Sequence, residues 1–320
     1  MGNGLSLVVT ESERRRVAAA AEMGVHIDPR SGLDAAVVIV FSVGYALTMV
    51  AAIYALYNRN YPPIRCKTPA LMLGLVVFGA VWLVGDSQQN GQLPLKGTAL
   101  ENCKAFGMWM RILFGVITVS VLWMARVYGL YRVFSLGRSL HGWGMRILFG
   151  GYLVCVFVFG IVVQVVSADK TLHYVEPLDI CVPNPKLLAA MFVIVWVNFT
   201  AVFVISWMLR NIKTSFNERR ETVIACCVVL SILITTTSLH YGRPKYPFSL
   251  GLRTVVTSID HAGTIFYWWL LMGVPLFNCA FRRQRYLDWW VAKLIEDGLE
   301  LQYDIGYDEQ NNVTTMYQPT

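Results

Sequence analysis

Residues 35–57 read Ala-Ala-Val-Val-Ile-Val-Phe-Ser-Val-Gly-Tyr-Ala-Leu-Thr-Met-Val-Ala-Ala-Ile-Tyr-Ala-Leu-Tyr, without one charged side chain. A helix needs about 17–25 predominantly apolar residues to cross a bilayer. Inside lipid every backbone polar group must be satisfied within the structure that crosses, so such a stretch predicts a transmembrane helix. Six more stretches follow: Pro69–Gly85, Phe106–Tyr131, Met145–Val166, Leu187–Leu209, Val223–Leu239 and Thr254–Asn278. The expectation is an all-α membrane protein, a seven-transmembrane helix bundle. An odd count puts the termini on opposite sides and argues against two equal inverted halves.

Composition agrees. Of 320 residues 56% are hydrophobic and only 15% charged, and the mean hydropathy is +0.51. A soluble domain would carry about 25% charged residues. The net charge of +7 does not point to nucleic acid, because the basic residues concentrate in the short loops of one side. The expected organisation is a tail over 1–33, the bundle over 34–280, a short amphipathic eighth helix over 281–302 and a disordered tail over 303–320. Neither flank is long enough for a second domain of ~50 residues.

One set of loops holds Arg59, Arg65, Lys67, Arg132, Arg138, Arg210, Lys213, Arg219 and Arg220, with Arg282, Arg283 and Arg285 after the last span. The opposite set, Lys96, Lys104, Lys170, Lys186, Arg243, Lys245 and Arg253, is sparser. The positive-inside rule makes the first set cytoplasmic and the N-terminus extracellular, which suits a multi-pass protein of the plasma membrane. Arg14, Arg15 and Arg16 run against this, about 20 residues ahead of the first span, at the limit of the rule. The start Met1-Gly2-Asn3-Gly4-Leu5-Ser6 fits a myristoylation pattern at Gly2, and a chance match is the competing explanation. Cys279 is a candidate for palmitoylation or a plain packing thiol.

Of seven cysteines, Cys103 and Cys181 are the only two on the expected outer face, where disulfides persist. A bridge between them would tie the top of the third helix to the second outer loop. The alternative is two unpaired outer thiols.

Several segments, taken in order, resemble class C G-protein-coupled receptors. Tyr57-Asn58-Arg59-Asn60-Tyr61-Pro62-Pro63-Ile64-Arg65 resembles their first inner loop. Tyr131-Arg132-Val133-Phe134 resembles the end of their third helix, and Val274-Pro275-Leu276-Phe277-Asn278 that of the seventh. Phe216-Asn217-Glu218-Arg219-Arg220 resembles the box that opens helix six in metabotropic glutamate receptors and in fungal receptor-like proteins. The similarity covers roughly residues 33–281 and is greatest to the fungal branch related to GABA-B-type receptors. The family's bilobed ectodomain is expected to be missing, since only ~34 residues precede the first helix.

This resemblance implies a receptor that transmits a small-ligand signal to a heterotrimeric G protein by movement of helix six. It implies an ionic lock between Arg126 and Glu218 at the cytoplasmic ends of helices three and six. It also implies an inner face formed by Arg132, Arg138, Lys213, Phe216, Asn217, Arg219 and Arg220, and a possible receptor dimer. The plain alternative for Arg126 is snorkelling to lipid headgroups, with Glu218 solvated.

Polar residues within apolar spans are functional candidates by default. Toward the outer end these are Asp86, Arg111, Asp260 and His261, and Arg111 is expected to pair with Asp260 or Asp86. Trp196, Asn198, Thr236 and Trp268 are candidates to line a ligand pocket beside them. A pair that only fixes helix packing is the competing reading. A retinal protein is excluded because Thr254–Asn278 contains no lysine. The five histidines are scattered, so neither a metal site nor a hydrolase is expected, and no cofactor. A transporter, a channel or a non-signalling partner subunit remains the alternative class.

Overall fold

The computed structural model describes residues 11–136, 143–209 and 218–297, with the side chains of 133–136, 143–146, 148, 218, 219 and 297 left aside. Among the described residues six helical runs are long and apolar enough to cross a membrane, which makes this a multi-pass, all-α membrane protein. They are α2 (Gly32–Tyr57), α4 (Pro69–Gln89), Lys104–Arg132, α7 (Pro185–Met208), Arg220–Gly242 within α8 (Glu218–Gly242), and α9 (Leu250–Phe281). The expected fourth span is helix α6 (Trp143–Val165), whose apolar part, Phe149–Val165, is shorter. After α9 comes α10 (Arg283–Asp297). Its Trp290 and Leu294 pack on Cys66, next to the short helix α3 (Pro62–Arg65).

Each span starts where the local chemistry allows. Ser31 caps α2 by accepting from Leu33 N, and Asp34 Oδ2 accepts from Ser31 N, a reciprocal capping box. Pro69 and Pro185 stand at first helical positions, where a missing N–H leaves nothing unpaired. Side chains such as Ile39, Val50, Val162, Val193 and Val204 are exposed on the helix surfaces. In a membrane they face acyl chains.

The third crossing departs from expectation. Lys104–Ile117 is π-helical and passes into the α-helix α5 (Thr118–Leu136). Gly115 sits near the junction with ψ −106°. A Cβ there would lie 2.8 Å from both Met110 O and Trp82 Cβ. π geometry is rare and concentrates at functional sites.

Outside the spans, the segment expected to be a simple tail contains α1 (Glu11–Glu22), a run with four consecutive alanines, good helix formers. Ala20 and Ile27 pack against Leu178 and Ile180 of the loop between α6 and α7. That loop is a hairpin of β1 (Leu172–Val175) and β2 (Ile180–Pro183), in which Tyr174 faces Cys181. Arg30 stitches the layers together, reaching Glu13 at 2.8 Å, Asp179 at 2.7 Å and Gly91 O at 2.9 Å. Burial alone would raise the Glu13 and Asp179 carboxyls. Arg30 overrides it, helped by Arg16 at Glu13 and by Tyr174 at Asp179, and holds both below the usual carboxylate range.

Candidate functional site

Near its C-terminal end α4 touches the π-helical segment backbone to backbone. A Cβ on Gly85 would lie 2.6 Å from Arg111 N and 2.6 Å from Phe106 O. This contact brings the next residue, Asp86, to Arg111, with Nε donating to Oδ1 at 2.8 Å. Of the two partners expected for Arg111, the structure selects Asp86. The other Asp86 oxygen accepts from Asn90 Nδ2 at 2.9 Å and faces His261 Nε2 at 3.6 Å. Asn90 also bonds Thr257, and its carbonyl accepts from Tyr246 OH. A buried ion pair is better tolerated when further hydrogen bonds support it, and Asn90 supplies one to Asp86. Cys103 and Cys181 are bridged, with Cα atoms 5.6 Å apart, which fixes the start of this segment to β2.

Below the pair lies a cavity of about 130 Å³ among α4, the π-helical segment, α5, α7, α8 and α9. A cavity of roughly 150 Å³ holds one benzene ring. Its body is apolar, with Ile112, Val116, Phe192, Val195, Val229 and Leu233 in the wall. Its polar members are Arg111, Thr236, His240, Asp260 and Thr264. Asp260 Oδ1 accepts from Thr236 at 3.3 Å, while the Asp260 backbone carbonyl accepts from Thr264. His240 Nδ1 lies 2.8 Å from Thr236 O, and Nε2 lies 3.0 Å from Tyr246 OH.

The sequence-level candidates therefore divide. Arg111, Thr236 and Asp260 line the cavity. Asp86 and His261 are fully buried just behind it, with His261 Nδ1 3.0 Å from Tyr45 OH. Asn198, Trp196 and Trp268 are not in its wall. Asn198 bonds Ser120 and Tyr152. Trp196 donates to Thr237 beside a separate groove between α7 and α8. Trp268 donates to Met72 O in the main core. Sequence reasoning missed His240 as a lining residue, because the span as read stops at Leu239 while the helix runs on to Gly242, and also Tyr267, which reads as an ordinary aromatic.

Tyr267 extends the wall inward. Its ring lies 4.8 Å from that of Trp123, and its hydroxyl end is close enough to Arg126 to interact. Arg126 is buried midway along α5. The Glu218 side chain expected to pair with it lies outside the described residues, as do Arg138, Lys213, Phe216 and Asn217 and the Arg219 side chain. Arg132 is buried and Arg220 exposed. One turn further along α8, Glu221 pairs with Lys67 at 2.7 Å, with side chains 15% and 6% exposed. Lys67 was expected to be an ordinary loop charge.

Among the described residues no three His, Cys, Asp or Glu side chains gather as a metal site. The chain matches no known protein family, and no curated protein matches it.

Proposed function

We propose that this protein is a seven-helix receptor resembling class C, with α6 as the additional crossing and α10 lying along the inner leaflet. Its N-terminus faces outward at the plasma membrane and its C-terminus the cytoplasm. Occupancy of the cavity by a small ligand biases the inner end of α8, and a heterotrimeric G protein responds. The observation that carries this reading is one continuous wall. Tyr267 and Trp123 line the cavity with their rings 4.8 Å apart, and the hydroxyl end of Tyr267 is close enough to Arg126, one turn further along α5, to interact. A two-state bundle needs such shared side chains to couple its two faces.

Two inner ties belong to the reading. Lys67–Glu221 joins the start of α4 to α8. Arg126 with Glu218 would be the second, suggested by the motif resemblance. The exposed Arg220 and the neighbouring basic residues supply charge for an α-subunit or for anionic lipid. We assign the protein no catalytic role.

The test is nucleotide exchange on co-expressed G-protein α-subunits, comparing wild type with Arg126→Ala, Glu218→Ala and Lys67→Ala. Basal exchange that rises in the variants is expected. No exchange with any α-subunit in a panel, with the protein verified at the cell surface, would overturn the receptor reading and favour a transporter or a partner subunit.

A further inference from the structure

The carboxyls around the cavity differ in their partners. Asp86 and Arg111 cancel, and Asp86 is further satisfied by Asn90. Asp260 has a different environment. It is 6% exposed, lines the cavity, and accepts one long side-chain hydrogen bond from Thr236 at 3.3 Å. Among the described residues no cationic nitrogen lies within 4.0 Å of its carboxyl; Arg111 is near enough to act on it electrostatically but is committed to Asp86. A carboxylate offers about four acceptor positions, so most of its capacity is unused.

The other titratable groups at this end do not supply the missing charge. His240 has Nδ1 on a backbone carbonyl and Nε2 facing a tyrosine hydroxyl, a pattern that a neutral ring meets fully. His261 sits behind the wall between Tyr45 and Asp86. Tyr246 is engaged with Asn90 and His240. One acceptor-rich carboxyl therefore faces an apolar chamber of about 130 Å³.

From this we infer that the cavity takes a small organic amine, its ammonium on Asp260 and a body of about one ring or a short branched alkyl group among Phe192, Val229, Ile232 and Leu233. Asp260 selects for the cation, and Thr236 orients the carboxyl that receives it. A neutral molecule of the same shape loses the charge-assisted hydrogen bond, and an anion is repelled. The inference rests on the proposed role of the cavity as a ligand site and adds the class of ligand.

The probes are benzylamine and its near-isostere benzyl alcohol, titrated at neutral pH into the full chain in lipid nanodiscs, with binding read by ligand-observed NMR. Wild type is expected to hold the amine ~10-fold or more tighter than the alcohol, the size of one hydrogen bond to a charged group. Asp260→Asn keeps the side-chain shape and the Thr236 contact, and is expected to bind both probes alike. Equal binding of amine and alcohol by wild type overturns the cation preference and leaves the cavity as a ligand site. A preference that survives in Asp260→Asn overturns the assignment to Asp260. Binding of neither probe by wild type overturns the inference and the cavity's ligand role together. The comparison within wild type stands even if the variant fails to fold.

Discussion

Asp34 and Arg253 meet as a fork, Nε to Oδ1 at 2.8 Å and Nη2 to Oδ2 at 2.7 Å, with both side chains sealed from solvent. The pair joins the first turn of α2 to the first turn of α9. Arg253 also donates to the carbonyls of Asp28 and Pro29, so the chain leading into α2 is pinned by the same guanidinium. Asp34→Asn leaves that cation buried without its counter-charge. The expected loss is about 3–5 kcal/mol of stability, read as a lower unfolding temperature of the purified protein in detergent. A change within error of wild type would mean that the fork contributes no net stability.

Gly85 and Gly150 make opposite predictions for the same substitution. Gly85→Ala drives a methyl into the backbone of Phe106 and Arg111. Over-packing of this kind costs about 1–3 kcal/mol. Gly150 in α6 has open space around it, so Gly150→Ala is expected to be neutral or stabilising by ~0.5–1 kcal/mol. Thermal unfolding of the two variants side by side decides the matter, and equal effects would refute the close approach at Gly85.

The outer clamp is sensitive to acid. Folding depresses the Glu13 and Asp179 carboxyls below their ordinary values. A depressed carboxyl stabilises the fold fully above its unfolded pKa, about 4, and that stabilisation is lost as pH falls through the folded value. Hydrogen exchange of the α1 amides, corrected for intrinsic rates, is therefore expected to be constant from pH 7 to 5. Protection should decline progressively below about pH 4. Constant protection down to pH 2 would show that the carboxylates do not hold α1.

Much of the architecture was legible because each crossing is a long apolar run with few or no charges, and the disulfide followed from only two cysteines being assigned to the outer face. Asp86 and Arg111 were legible as rare charges inside apolar runs. Which way a helix faces was not. α7 is apolar all round, with lipid on one side and protein on the other, so no polar stripe told that Trp196 and Asn198 point away from the cavity. Arg253 was counted among outer-loop charges because hydropathy begins the last span at Thr254, while the helix begins at Leu250. A pairing between residues 219 positions apart leaves no local pattern. The π-helical geometry of Lys104–Ile117 was equally silent, since its residues are ordinary helix formers.

Lys67 and Glu221 give a prediction independent of any signalling assay. The pair is mostly buried, so a double-mutant cycle of Lys67→Met and Glu221→Gln is expected to return a coupling of about 0.5–3 kcal/mol in unfolding free energy. A spin label at Arg220, exposed on α8, should become more mobile in either single variant. Strict additivity together with unchanged mobility would remove this tie from the account.

The two sides of the cavity are built to different stiffness. On one side α4 and the π-helical segment are in backbone contact at Gly85 and share the Asp86–Arg111 pair, and a covalent bridge ties the start of that segment to β2. On the other side, the described side-chain fastenings of α8 include Thr236 to Asp260, Trp196 to Thr237, Tyr246 to His240, and Lys67 to Glu221. One face acts as a fixed jaw and the other as a hinged one. Three of the hinge's fastenings are single hydrogen bonds, each worth about 0.5–1.5 kcal/mol. That is the scale of the coupling of ~1–3 kcal/mol by which one bound molecule ordinarily shifts a distant site. A guest in the chamber, under the proposed function, would therefore compete with the hinge on equal terms and leave the fixed jaw unmoved.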